Sequence, residues 1–310
     1  MLNRRNLLKL SGVTALGALL PSVSPAAEKN PSGIFRFCLN TSTIRGQTSP
    51  GLLKYIEIAA KAGYDGVELW VSDVMDYLKA GNAVNTLAKI ISDKGLKVEN
   101  AISFTSWMTD DPAKRKEGRR QLEEEMDIMA ALGCRYIAAP PAGVERGKPI
   151  NFQEAGSYYR GILELGRKHG VIPLLEFWGA SGTLYNLSQA LAIAAAADDP
   201  DAKILPDVYH IFRGGSGFNG LKLLSGSTVE VIHFNDYPAD KPVNQQTDSD
   251  RVYPGDGAAP LKQVLRYLLE MGGTKVLSLE LFNKTYWSRD PLAVAKTGLH
   301  KMKALVATVL

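Results

Sequence analysis

Cysteine is scarce in this chain, with two residues in 310. Two thiols build neither a disulfide framework nor a thiolate metal cage. Cys38 falls inside the first predicted strand and Cys134 at the start of the fourth, so both read as small buried apolar side chains. Net charge is also low: the formal value is +4, and Arg4, Arg5 and Lys9 lie in residues 1–27 without any acidic residue, which leaves the remainder at +1. Such a balance gives no electrostatic footprint for nucleic acid. No apolar run is long enough to span a bilayer. The first strand is followed by no Gly-rich phosphate fingerprint, which counts against a doubly wound dinucleotide fold. Solenoid-period repeats and low-complexity tracts are lacking too.

A modest apolar stretch, Leu10 to Leu20, follows Asn3-Arg4-Arg5-Asn6-Leu7-Leu8-Lys9 and precedes Ser24-Pro25-Ala26-Ala27. This order of charged, apolar and small residues reads as a twin-arginine export signal over residues 1–27, with cleavage after Ala26 or Ala27. The expected location is the periplasm or another exported compartment, without stable membrane insertion once the signal is removed. Residues 28–310 then form one domain.

Within that domain, apolar runs alternate with helical patterns. The runs cover 34–40, 66–70, 96–102, 135–140, 171–177, 203–208, 229–234 and 275–281, and read as eight strands. Amphipathic segments such as Pro50 to Ala62, Pro112 to Leu132, Phe152 to His169 and Ala259 to Met271 read as helices. Glycine follows several helices directly before a strand, as in Lys94-Gly95-Leu96 and His169-Gly170-Val171. Count and order predict an α/β fold of the (β/α)8 barrel type. The longer irregular segments, Thr105 to Asp111, Pro140 to Pro149 and Tyr237 to Gly257, all follow strands and therefore belong at the active mouth of such a barrel.

Glu176, Asp207, His233 and Glu280 each stand at the C-terminal end of a predicted strand. A closed parallel sheet brings these four tips to one rim. Three carboxylates and an imidazole suit one divalent ion of the Mn²⁺, Mg²⁺, Co²⁺ or Zn²⁺ kind. Trp70, Phe104, Trp107, Phe177, Trp178 and Trp287 also fall near strand ends, where aromatic walls fit the C–H faces of a sugar.

In this order, Gly63-Tyr64-Asp65-Gly66-Val67-Glu68-Leu69, Leu175-Glu176, Asp207-Val208-Tyr209-His210, His233-Phe234-Asn235-Asp236, Arg251-Val252-Tyr253-Pro254-Gly255-Asp256-Gly257 and Leu279-Glu280 resemble the xylose isomerase-like barrels that isomerise and epimerise sugars. The resemblance covers nearly all of residues 33 to 308. It implies that Glu176, Asp207, His233 and Glu280 bind one divalent metal, and that Glu176 and Glu280 double as acid and base. The chemistry asks for this pairing, because a proton beside a carbonyl is very weakly acidic and needs a carboxylate base together with a cation for the developing oxyanion. His210 is then expected to bond a substrate oxygen. Arg251 either contacts substrate oxygens, a phosphate included, or is a solvated rim residue. Asp236 is expected to orient His233 or bridge to Arg251, while Glu68 either accepts hydrogen bonds in the pocket or pairs with a barrel cation. Trp107 and Trp178 complete the expected substrate contacts.

The implied activity is isomerisation or epimerisation of a small carbohydrate. β-Elimination from a 3-keto-glycoside is the alternative on the same site. Apurinic-site endonucleases share the superfamily but need a three-metal cluster rich in histidine, and only four histidines occur here, with His169 and His300 on predicted outer helices. A sugar-binding protein without catalysis is the remaining class, and apolar outer helix faces leave a homo-oligomer open. The ketohexose 3-epimerases carry a further glutamate after the first metal glutamate, where this chain has Phe177-Trp178-Gly179-Ala180-Ser181-Gly182. The substrate pocket is therefore expected to differ from theirs.

Overall fold

The computed structural model describes residues 33–46 and 49–310, so the expected export signal over residues 1–27 lies outside the described residues. Eight strands are formed: β1 (Phe35–Asn40), β2 (Gly66–Trp70), β3 (Lys97–Ile102), β4 (Tyr136–Ala139), β5 (Ile172–Glu176), β6 (Lys203–Leu205), β7 (Val231–His233) and β8 (Lys275–Leu279). Between and around them lie the helices α1 (Leu52–Ala62), α2 (Val71–Lys79), α3 (Val84–Asp93), α4 (Pro112–Ala131), α5 (Phe152–His169), α6 (Leu187–Ala197), α7 (Val208–Arg213), α8 (Leu261–Met271), α9 (Lys284–Trp287) and α10 (Pro291–Ala307). No helix among the described residues is long and apolar enough to cross a membrane.

All strand pairs are parallel, in the order β6-β5-β4-β3-β2-β1-β8-β7. The two ends meet. His233 N–H donates to Pro206 O at 3.0 Å and Ile204 N–H to Thr228 O at 2.9 Å. Asp207 and His233 form an isolated parallel bridge, so the sheet closes into the expected barrel at two of the candidate metal ligands.

Strand periodicity sorts the side chains into two sets. Outward-facing Phe37, Leu39, Val67, Leu69, Leu175, Ile232, Leu277 and Leu279 join the large core beneath the helices. Inward-facing Cys38, Ile102, Ala138, Leu174, Leu205, Val231 and Val276 form a smaller cluster that fills the barrel interior. The buried cysteines are both unpaired, as their setting in apolar packing suggests. Above the inner cluster the same inward register carries polar residues, namely Asn40, Glu68, Asn100, Glu176, His233 and Ser278, all buried. The interior thus changes from apolar to polar toward the C-terminal ends of the strands.

Two strands are only half as long as the sequence pattern predicts. The run 203–208 yields β6 only to Leu205, because Pro206 has no N–H for the ladder and Asp207 caps α7 by accepting the N–H of His210 at 3.0 Å. The run 229–234 narrows to Val231–His233 where its partner β6 is equally short. Elsewhere the helix ends match their signals. Gly63 and Gly170 end α1 and α5 in the left-handed region, at φ 90° and 72°.

Candidate metal centre

Asp207, His233 and Glu280 bring one donor atom each into a single cluster fit for a metal ion, all three buried. His233 stands at its centre. Its Nδ1 lies 3.1 Å from Glu280 Oε2, 3.3 Å from Asp207 Oδ2 and 3.7 Å from Glu176 Oε1. On the opposite edge of the ring, Nε2 contacts Glu68 Oε1 at 3.0 Å. With a carboxylate holding Nε2 as the donor, Nδ1 presents its lone pair to the cluster, and there it is buried without a hydrogen-bond partner. An orphaned imidazole nitrogen facing three carboxylates is the donor set a divalent cation takes, so the residues fit such an ion.

The electrostatics agree with the geometry. Burial disfavours charge on His233, yet Glu280, Glu68 and Asp207 outweigh it and raise its proton affinity well above the ordinary imidazole range. The cluster therefore favours positive charge at its centre. Glu176 is shifted the other way for a carboxylate: burial foremost, with Glu280, Asp207 and Glu68 adding repulsion against the opposing pull of His233, pushes it up to about 8. For Asp207, burial acts upward as the largest single influence, but Arg251, His210 and His233 together hold it well below the usual carboxylate range.

Arg251 is not a solvated rim residue. It is 1% exposed, and its Nη1 donates to Asp207 Oδ2 at 2.7 Å and to Glu280 Oε2 at 2.8 Å. Nη2 donates to Asp248 Oδ1 at 2.7 Å. The guanidinium carbon sits 4.8 Å from the Tyr209 ring centroid and 5.2 Å from that of Phe282, so the fork is held between aromatic faces as well.

His210 faces two donors. Gly179 N–H points at Nδ1 from 3.2 Å, and Arg251 Nη2 lies 3.1 Å from Nε2. Burial, the largest influence, lowers the proton affinity of this ring, and a neutral imidazole accepts at only one nitrogen. If Nδ1 accepts from Gly179, Nε2–H meets Arg251 donor to donor. An oxygen acceptor bridging the two would satisfy both.

Glu68 is neither a cavity wall nor the partner of a barrel lysine or arginine. Its Oε2 accepts from Asn40 at 2.7 Å and Ser278 at 2.6 Å, and its Oε1 accepts from Asn100 at 2.7 Å in addition to His233. Burial alone would raise its pKa, but His233, Ser278 and Asn100 lower it on balance, so it stays ionised beneath the imidazole. Asp236 also departs from expectation. Its carboxylate accepts from the backbone N–H groups of Tyr237, Gly255, Gly257 and Ala259, so it braces the loop from β7 to α8 and touches neither His233 nor the Arg251 side chain. This close wrap requires glycine at 257, where a Cβ would stand 2.4 Å from Asp236 Oδ1. Trp107 is corrected likewise: it is buried, donates to Pro140 O at 2.8 Å and packs on Tyr159, so it supports the loop after β4 instead of facing a ligand. Phe177 is part of the core beneath the helices.

Above the cluster opens a cavity of about 830 Å³, lined by Glu176, Glu280, His210, Arg251 and Asp248, and by Trp70, Phe104, Trp178, Phe282 and Trp287 among others. Glu176 and Glu280 reach it from β5 and from the end of β8. His169 is far from this arrangement in the sequence of elements, paired on α5 with Asp127 and Glu123 of α4, and His300 lies on α10.

Sequence reading overlooked Asn40, Asn100, Ser278, Asn235, Asp248 and Phe282. Strand parity would have found the first three, since each shares the inward face with Glu68, His233 or Cys38 on its own or a neighbouring strand. Asn235 anchors Asp207, donating at 3.2 Å to Oδ1, and accepts the Tyr209 N–H at 2.9 Å. Asp248 and Phe282 follow only from loop conformation.

A family description, xylose isomerase-like TIM barrel, matches residues 56–305 of the chain. The chain belongs to the xylose isomerase-like TIM barrel family. Among its relatives, an inosose isomerase of Bacillus velezensis is 27% identical over 276 residues, spanning 88% of this chain and 97% of the relative. The inosose isomerase of Bacillus subtilis is 28% identical over 259 residues, 81% of this chain and 91% of the relative. A 3-dehydroshikimate dehydratase of Pseudomonas aeruginosa is 23% identical over 257 residues, covering 80% of this chain but 38% of that longer protein. The barrel itself superposes with TM-score 0.80 on the IOLI protein with a binding zinc atom, at 24% identity over 89% of this chain and 99% of the other. An L-ribulose 3-epimerase gives TM-score 0.70 at 17% identity, covering 88% of this chain and 95% of the other. At these identities the structural likeness is one of fold.

Proposed function

We propose that this xylose isomerase-like barrel is a divalent-metal-dependent isomerase or epimerase that moves a proton on the carbon beside the carbonyl of a small sugar-like substrate. One observation carries the reading: two buried glutamates of unlike surroundings, Glu176 beside His233 and Glu280 clamped by Arg251, line one cavity around an unpartnered imidazole nitrogen. Paired carboxylates whose environments differ divide the work of acid and base. Glu176, Asp207, His233 and Glu280 would hold the ion, which when bound supplies positive charge against the oxyanion developing at the carbonyl.

The protein's own groups do the rest. One glutamate removes the proton from one side of the substrate carbon and the other delivers a proton, either to the opposite face, which inverts the centre, or to the neighbouring carbon, which shifts the carbonyl. His210 Nε2 and Arg251 Nη2, 3.1 Å apart, share a substrate oxygen as acceptor and so orient the carbonyl. Glu68 keeps His233 in its tautomer. The kinship with inosose isomerases supports the isomerase outcome. β-Elimination is the second reading, favoured by the dehydratase relatives: the same enolate expels a leaving group from the next carbon, as from a 3-keto-glycoside. Proton exchange in deuterated water, followed by NMR on ketoses, aldoses and 3-keto-glycosides with Mn²⁺ or Mg²⁺ supplied, tests both. Deuterium beside the carbonyl is the expected result, its absence across the panel would refute the reading, and the product separates isomerase from lyase.

Two further expectations concern the ion. Glu68→Gln should weaken divalent metal binding by about 10- to 100-fold, as loss of a carboxylate behind a ligating imidazole does elsewhere. Unaltered affinity in a calorimetric titration would show that Glu68 merely fills the barrel. Metal binding should also release protons at neutral pH, because Glu176, pushed up to about 8, is largely protonated below that value. Apparent affinity should therefore rise as pH increases through neutrality, the raised proton affinity of His233 adding to the effect. Titrations in buffers of unlike ionisation enthalpy would expose a proton count of zero if this is mistaken.

Export is proposed from the Arg4-Arg5 segment alone. The double replacement of both arginines by lysine should hold the protein in the cytoplasmic fraction of the host. A periplasmic pool of undiminished size would remove the proposal.

A further inference from the structure

The cavity has two unlike sides. His210, Asp248 and Arg251 form a charged side, reached from α7 and the loop after β7. Adjoining it at Phe282, whose ring centroid lies 5.2 Å from the Arg251 guanidinium carbon, Phe282, Trp70, Phe104 and Trp178 follow one another in a contiguous row, from the ends of β8, β2, β3 and β5. Successive ring centroids lie 6.1, 5.3 and 5.9 Å apart. Phe104, the third of the four, is 45% exposed. A lone exposed aromatic needs no explanation, but this one stands between two tryptophans on the wall of the cavity that holds the glutamates.

Spacing and volume both exceed what one sugar ring fills. Neighbouring aromatics are separated by about the width of a six-membered ring, so a single ring with its carbonyl at Glu176 and Glu280 covers only part of the row. A cavity of about 830 Å³ lies in the upper part of the roughly 300–1,000 Å³ range that suits drug-sized ligands. We infer that Trp70, Phe104 and Trp178 form a second subsite, and that the substrate has two rings. A carbonyl-bearing sugar ring lies over the glutamates, and a second ring, joined through a glycosidic oxygen, lies against the aromatic row. The placement of the first ring rests on the function proposed above.

Aromatic faces bind both sugar C–H faces and aromatic rings, so the second ring is either another sugar or an aromatic aglycone. The test uses the full chain supplied with Mn²⁺ and measures binding of D-glucose, cellobiose and phenyl β-D-glucoside by calorimetry. At least one two-ring probe should bind about ten-fold or more tightly than D-glucose. Phe104→Ala should remove most of that advantage and Phe104→Tyr should keep it. A gain for phenyl β-D-glucoside alone identifies an aromatic aglycone, and a gain for cellobiose as well identifies a second sugar. Saturable quenching of tryptophan fluorescence by phenyl β-D-glucoside in the unaltered chain reads the same subsite without relying on any variant.

Equal affinities, no measurable binding of either two-ring probe, or an advantage untouched by Phe104→Ala would each overturn the inference. Deuterium exchange on one-ring ketoses is a separate readout. Exchange without a two-ring preference leaves the proposed reaction standing and removes the second subsite.

Discussion

Glu280→Gln should lower metal-dependent proton exchange by about a thousand-fold, within the range that a positioned acid or base contributes. The replacement keeps the shape of the side chain and an oxygen for Asn40, which donates to Glu280 Oε1 at 3.0 Å. What it removes is the basic carboxylate and the charge that Arg251 Nη1 meets at 2.8 Å. Glu176→Gln should lower turnover to product by a similar order, since the remaining glutamate cannot both take and return the proton on the required faces. Thermal melts by circular dichroism should show each variant folded, because both side chains border a cavity and neither belongs to the apolar core. Turnover to product at the unaltered rate in either variant would sink the two-glutamate mechanism.

Arg251→Ala should be both destabilising and inactivating. The guanidinium is 1% exposed and answers Asp207 and Glu280 together, and Asp207 is wholly buried. Removing one partner of such a network leaves buried carboxylates uncompensated, at a cost of about 3–5 kcal/mol. Turnover should fall at least about a hundred-fold, the effect of losing one preorganised donor near the reacting oxygen. A denaturant titration measures the first effect and the exchange assay the second. A stability loss below about 1 kcal/mol would mean that the pair is effectively solvated.

The pH dependence gives an independent check on the same pair. The folded pKa of Asp207 is depressed, so its contribution to stability is fully present above the unfolded carboxylate value and is lost as pH falls through the folded one. The native chain should therefore lose stability toward strongly acidic pH. Arg251→Ala, with that depression relieved, should show a shallower acid slope. An identical slope in both proteins would assign the acid lability to other carboxylates.

Most of the architecture could be read from the residue pattern. Alternating strand and helix periods dictate a parallel α/β arrangement, and the turn glycines mark where helices stop, because both signals act within a few residues of chain. The four residues at the strand tips were recognisable for the same reason: a closed parallel sheet brings every strand end to one rim, whatever the packing details. Their convergence on His233 Nδ1 is the structure's addition, and so is Pro206 ending β6 early enough for Asp207 to cap α7 while facing the cluster.

Side chains with several possible partners were decided only in three dimensions. Glu68, Asp236, Trp107 and Arg251 all lie near strand ends, where polar and aromatic groups can turn inward, upward or along a loop. Glu68 turned inward to His233 and three uncharged donors. Asp236 was taken by four backbone N–H groups of its own loop, and Trp107 by the carbonyl of Pro140. Arg251 was drawn under the mouth by Asp207 and Glu280, from strand ends 44 and 29 residues away. The sequence by itself determined the barrel and the candidate ligand set, since period and position along a strand are local properties. Tertiary structure decided the partner of each buried polar group, because that choice depends on which donors and acceptors the closing of the barrel at β6 and β7 brings within hydrogen-bond reach.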